Sequence, residues 1–153
     1  MIDRLAIDRV LAANRYLVLG TADETGQPWV SPVFFARLDP NRLCWVSSPD
    51  SRHSRNIAHR NTIAITVFDS SVAVGQAEAA YFDAHAAPAI PDEVEAALQS
   101  LNSRLPSDKL LSADDLQPRG PLLVYRADLQ HSYILVRGGD QDLGNVVDTT
   151  VEV

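Results

Sequence analysis

The sequence contains one cysteine, one methionine and one lysine among 153 residues. With Cys44 alone, neither an internal disulfide nor a cysteine-cluster metal site can form. No apolar run approaches the roughly 18 residues that a membrane helix requires, so no bilayer-spanning helix is expected. The opening MIDRLAIDRV carries acids within its first turns and has no apolar stretch of the kind that defines a secretory leader. Together these absences predict a cytoplasmic protein. Bases are scarce as well: 13 stand against 20 acids, for a net charge of −7. A nucleic-acid binder needs a basic face to displace counterions, so that class is not expected. The four histidines, His53, His59, His85 and His131, form no closely spaced pair, so no metal centre is predicted.

What is present reads as one globular domain over 1–153. Apolar residues make up 46% and charged residues 22% of the chain, and a chain this long buries a core without staples. Residues 2–14 carry an imperfect apolar stripe (Leu5, Ile7, Val10, Leu11) that predicts a helix. YLVLGT at 16–21 predicts a strand, and DETGQP a turn. Residues 28–37 alternate as a strand, with Pro32 marking an edge or a bulge because it donates no ladder hydrogen bond. LDPN leads into a hairpin partner at 42–47. A short helix over 50–60, capped by Asp50 or Ser51, interrupts the strands. Strands resume at 62–68 and 76–84. A second strong helix spans 91–105, with Pro91 at its first position and acids in its first turn. The segments 121–128 and 131–137 read as two strands or one bent strand, and a last strand lies within 145–152. Connections this short favour antiparallel pairing and closure into a small barrel with helices at its ends.

The most informative stretch is 51–60. The chain is acidic, yet no Asp or Glu occurs between Ser51 and Phe68, a window that holds Arg52, Arg55, Arg60, His53 and His59. Arg52, His53 and Arg55 fall at the start of the predicted helix. Cations there oppose the helix dipole, whereas unpaired amides, planar guanidinium forks and the hydroxyls of Ser51 and Ser54 suit a phosphate. The other reading is a solvated helix face balanced by acids elsewhere.

The run VLGTADETGQPWVSPVFFARLDPNRLCWVSSPDSRHSRNIAHRNTIAITVFDS resembles the front half of the pyridoxamine 5′-phosphate oxidase-like, FMN-binding split-barrel proteins. The likeness lies in the order of several features. A strand and turn precede a Pro-containing strand that ends in an aromatic pair. A hairpin, a serine-rich connection and a basic helix follow. The match is good over 14–70 and looser over 71–136. It implies a mainly β fold, a six-stranded antiparallel Greek-key split barrel, and a homodimer with two flavin sites at the subunit interface. It also implies that Arg52, His53, Ser54 and Arg55, with Ser51, hold the flavin phosphate. The ring would lie against Ser31, Pro32, Val33, Ser47 and Ser48, and Gln76 would reach it from the neighbouring subunit. Ser31 and Ser47 read equally as ordinary strand serines. The Arg-x-His pair that addresses substrate in pyridoxamine phosphate oxidases has no counterpart: no His follows His131, and Arg137 stands alone before GGDQD.

The expected function is therefore an FMN-dependent oxidoreductase moving hydride through flavin N5 to or from a small substrate other than pyridoxamine phosphate. Tyr81, His131 and Tyr133 are candidates to line the substrate side, though His131 and Tyr133 read also as a surface pair. The deazaflavin F420 is the alternative cofactor; its polyanionic tail would need more basic groove residues than the chain offers outside 52–60. The alternative function is a non-catalytic carrier of flavin or of a planar tetrapyrrole-like ligand. Cys44 reads as a small core residue, and Trp29 and Trp45 as core or dimer-anchor residues.

Overall fold

The computed structural model describes residues 2–153. Helix α1 (Arg4–Ala13) opens the chain, and the Asp3 carboxylate accepts the amide of Ala6 at 3.2 Å to cap it. Strands β1 (Tyr16–Ala22), β2 (Pro28–Phe34), β3 (Ala36–Asp39) and β4 (Arg42–Ser47) follow. Helix α2 (Arg52–His59) leads to β5 (Thr62–Phe68) and β6 (Ala79–Pro88). Helix α3 (Pro91–Asn102), two short 3₁₀ turns, β7 (Leu123–Val136) and β8 (Thr149–Glu152) complete the chain.

All eight strands form one antiparallel sheet in the order β2-β1-β5-β6-β7-β4-β3, with β8 added to the far half of β7. The expected barrel class holds, but six strands becomes eight. One addition comes from a break at Phe35. The segment 28–37 alternates without interruption in sequence, yet β2 and β3 lie at opposite ends of the strand order. Phe35 is fully buried at the corner between them. The guanidinium of Arg104, 69 positions away, donates to its carbonyl at 2.6 Å. It also donates to the carbonyls of Asn14 and Leu11 at the end of α1. The segments 121–128 and 131–137 form the single strand β7, which carries a bulge opposite Asp83 and Ala84. Strand β6 starts later and runs further than 76–84, because the segment before Ala79 pairs with no neighbour.

The curled sheet encloses the main core. Ile7, Val10 and Leu11 of α1 plug it, and the inward rows of the strands, including Leu17, Leu19, Trp45, Ile65, Phe82 and Val136, fill it. A second cluster lies outside, where Ala97 and Leu101 of α3 cover Ala36, Cys44 and Val124. Strand β4 is thus buried on both faces, which explains its unbroken apolar run Leu43-Cys44-Trp45. Glu93 fixes the start of α3. It accepts the Ile90 amide at 3.0 Å and is paired with both Arg42 and Arg126.

Candidate functional site

The connection from β4 to α2 is a serine-lined turn. The Ser48 hydroxyl accepts the Asp50 amide at 3.1 Å, and the Ser48 carbonyl accepts the Ser51 amide at 3.1 Å. Ser51, not Asp50, is the N-cap of α2: its hydroxyl accepts the Ser54 amide at 3.3 Å and donates to the Ser54 hydroxyl at 2.7 Å. The Arg55 amide makes the first intrahelical bond, to Ser51. Among the described residues, the amides of Arg52 and His53 have no acceptor. Two donors therefore remain at the positive end of the helix dipole.

His53 points inward, not toward solvent. The residue is 9% exposed. Nδ1 lies 3.1 Å from the Ser31 hydroxyl on β2, and Nε2 lies 2.8 Å from the Ser47 hydroxyl on β4. β2 is one end of the strand order and β4 is next to the other, so His53 laces the seam of the split barrel. Burial pulls its pKa below the ordinary value. Its role in this structure is a bridge between two serines, whereas sequence pattern alone suggests a surface cation.

The two arginines on either side of His53 are exposed. The Arg52 guanidinium lies 4.1 Å above the ring of Trp29 on β2, a cation–π contact that fixes it beside Ser31. Trp29 is 40% exposed and belongs to this surface rather than to the core; Trp45 is buried as expected. Arg9, Arg37, Arg42, Arg119, Arg126 and Arg137 all pair with carboxylates. Arg4, Arg60 and Arg104 are spent on backbone carbonyls. Among the described residues, Arg52, Arg55 and Arg15, which lies beside Arg104, have no carboxylate partner. Arg52 and Arg55 thus flank the open amides of α2 without an ion pair, and the Asp23 carboxylate, held low chiefly by Thr25, also feels the charge of Arg52.

Ser31, Ser47, Ser48, Ser51, Arg52, His53, Ser54 and Arg55 thus come together around the start of α2, while Pro32 turns to the opposite strand face. Pro32 pairs with Val18 on the edge strand β2, as an edge proline should. The Val33 side chain is buried in the core, so only its backbone faces outward. Gln76 is not in this group. It sits in the exposed loop before β6 and lines a separate cavity of about 390 Å³ with Arg9, Glu78 and Arg137.

A shallow groove crosses the outer sheet face from β2 to β7, with a volume of about 300 Å³. Register places Val30, Gly20, Ala64, Asp83 and His131 in one cross-strand row. Pro32, Val18, Thr66, Tyr81, Tyr133 and Glu152 form the next. Gly20 and Ala64 make the floor, and a β-carbon on Gly20 would sit 3.5 Å from that of Ala64. At the far end Tyr133 donates to Asp83 at 3.3 Å, and His131 Nδ1 lies 2.7 Å from Glu152. Sequence pattern placed His131 and Tyr133 on one face; their partners on β6 and β8 emerge only from the register.

No cluster of metal-binding side chains occurs among the described residues, and no helix among them is long and apolar enough to cross a membrane. The sequence model described as pyridoxamine 5′-phosphate oxidase matches residues 5–129. No curated protein sequence matches the chain at a significant level. Solved structures share the fold. One is a putative 5-nitroimidazole antibiotic resistance protein from Bacteroides thetaiotaomicron, at 18% identity and TM-score 0.72, covering 86% of this chain and 82% of that one. Another is a heme-binding protein from Mycobacterium smegmatis, at 17% identity and TM-score 0.73, covering 99% of this chain and 59% of that one. A third is an FAD-binding protein from Mesorhizobium loti, at 19% identity and TM-score 0.63, covering 86% and 92%.

Proposed function

The chain belongs to the pyridoxamine 5′-phosphate oxidase family, and from that membership we propose that it is a cytoplasmic, homodimeric, FMN-dependent oxidoreductase acting on a small molecule. The observation that carries this reading is the start of α2: two open amides, the hydroxyl of Ser31 and two exposed arginines without carboxylate partners. That donor set matches a phosphate monoester. The isoalloxazine ring would lie beside Pro32 and Val33, where an edge strand leaves backbone groups available. Bound FMN would supply reversible hydride chemistry; the chain would supply the phosphate anchor, orientation and a flat apolar surface. The missing Arg-x-His pair argues for a substrate other than pyridoxamine phosphate. FMN is favoured over F420 because the remaining bases are mostly spent on carboxylates and carbonyls.

The exposed apolar residues Tyr16 (61%), Val30 (67%) and Phe68 (45%) on the outer sheet face suit burial by a second copy of the chain. Such a copy would bring its Gln76 loop toward the flavin. A carrier without turnover is the second reading, favoured by the heme-binding protein that shares the fold over 99% of this chain.

FMN and riboflavin titrated into the apoprotein test the proposal. Saturable FMN binding is expected at one flavin per chain. Arg55→Ala should weaken FMN about tenfold, from the loss of one exposed charge-assisted contact, and leave riboflavin within about twofold. Equal losses for both ligands would remove the phosphate anchor. Bound flavin that no nicotinamide donor reduces would favour the carrier.

A further inference from the structure

His53 has exactly two ring nitrogens to offer, and both are used. In a neutral imidazole one nitrogen donates and the other accepts. One of the two serines must then spend its own O–H on the ring. In an imidazolium both nitrogens donate. Ser31 and Ser47 would then both accept, and the hydroxyl hydrogen previously spent on the ring would be free to point elsewhere. Ser31 is half-buried on the edge strand beside Arg52 and Trp29; Ser47 is buried.

We propose that His53 couples anion binding to proton uptake: when a phosphate dianion binds at the start of α2, His53 takes a proton from solvent, and the imidazolium, acting through Ser31 and Ser47, turns one more hydroxyl donor toward the phosphate. His53 is then a positioning residue, and the site selects a dianionic phosphate monoester over its uncharged counterpart. The inference rests on the phosphate-anchor reading above.

The surroundings of the ring support it. Ser31 faces it from β2 and Ser47 from β4. On its own helix it is flanked by Arg52, Ser54 and Arg55, with Asp50 before the cap, and no carboxylate pairs with it. Among the described residues no carboxylate compensates a charge on His53, and burial favours the neutral ring. A bound dianion supplies the missing opposite charge, which raises the pKa. Between the free and bound values, binding must take up a proton. Affinity then falls as pH rises through that window, by up to tenfold per pH unit.

Calorimetry at about pH 7.5, where a phosphate monoester with a second pKa near 6 is already a dianion, tests this. FMN is titrated in two buffers of different ionisation enthalpy. The wild type should take up a substantial fraction of a proton per FMN bound; riboflavin, and FMN with His53→Gln, should take up none. NMR of the His53 ring in the wild-type protein gives a second readout that needs no variant: its titration should move to higher pH when FMN is added. FMN that binds more tightly than riboflavin, with no proton uptake and an unmoved His53 titration, overturns the coupling and leaves the phosphate anchor standing. FMN bound no better than riboflavin overturns both.

Discussion

Replacing Arg104 tests how the corner at Phe35 is made. Its guanidinium donates to the carbonyls of Phe35 and Asn14, more weakly to that of Leu11, and lies 4.7 Å from the Phe35 ring centroid. Among the described residues no carboxylate pairs with it, and burial lowers its pKa from the ordinary value. Hydrogen bonds to charged groups contribute about 1.5–3 kcal/mol each. The cation–π contact adds about 0.5–1 kcal/mol. The site is partly open, so water will replace some of the loss. Arg104→Met keeps the apolar stem and removes the donors; it should destabilise the fold by about 3 kcal/mol. Arg104→Lys keeps the charge but has no fork to span two carbonyls, and should cost about half as much. Urea unfolding measures both, with the midpoint falling and the slope unchanged. At roughly 2–4 °C per kcal/mol for a chain of this length, the Met variant should melt about 6–12 °C lower. Hydrogen exchange should accelerate at Phe34 and Phe35 before it does in β6. A Met variant within about 0.5 kcal/mol of wild type, or full rescue by Lys, would refute the argument that this fork holds β2 and β3 apart.

Glu93→Gln should destabilise the fold by about 1–3 kcal/mol in urea, because Glu93 is largely buried between Arg42 and Arg126 and its loss leaves Arg42 with Asp39 and Arg126 with Asp128 alone; a cost below about 0.5 kcal/mol would make the network incidental. Cys44 is enclosed between β4 and α3, and burial pushes its thiol up to about 12, so labelling by a thiol reagent at about pH 8 should follow only the opening of the fold. Rapid labelling of the folded protein would contradict that packing. Glu152 raises the pKa of His131 above its ordinary value, first by hydrogen bond and then by charge. The pair therefore favours the folded state below about pH 6.5 and loses this contribution as pH rises through the raised value. Glu152→Gln should bring the His131 NMR titration back toward about 6.5; an unchanged midpoint would break the assignment.

The parts of the fold visible in the sequence are those set by local chemistry. Ser51 caps α2, Pro91 starts α3 and Pro32 marks an edge because each acts on its own backbone. The acid-free window at 51–68 marked the start of α2 for the same reason: composition there is read directly. Phe35 was not visible as a break. The residues on both sides continue a period of two, and the corner is imposed by Arg104 from far along the chain. His53 shows the complementary limit. Its sequence neighbours are basic, so it reads as a cation. Only the tertiary structure brings Ser31 and Ser47 to opposite sides of its ring. Gln76 read as part of the site through family resemblance, and within one chain it lines another cavity.

The same residues weigh a flavin against a tetrapyrrole. A heme iron is held by an axial side chain, most often histidine. His53 is buried with both nitrogens occupied. His131 bonds Glu152 through Nδ1 alone but lies at the far end of the groove from α2, and His59 lies 3.8 Å from Glu24. Cys44 is enclosed. His85 is exposed on β6, across from Thr62 and away from the α2 start. A flavin needs no such ligand. It needs an anion anchor and a flat surface; under the proposed function Arg52 and Arg55 would supply the first and the row through Gly20 and Ala64 the second. Hemin titrated into the protein should therefore give no sharp, saturable Soret shift of a histidine-ligated iron. If it does, and His85→Ala or His131→Ala abolishes it while Arg52→Ala with Arg55→Ala leaves it intact, the ligand is a tetrapyrrole and the arginines serve another purpose.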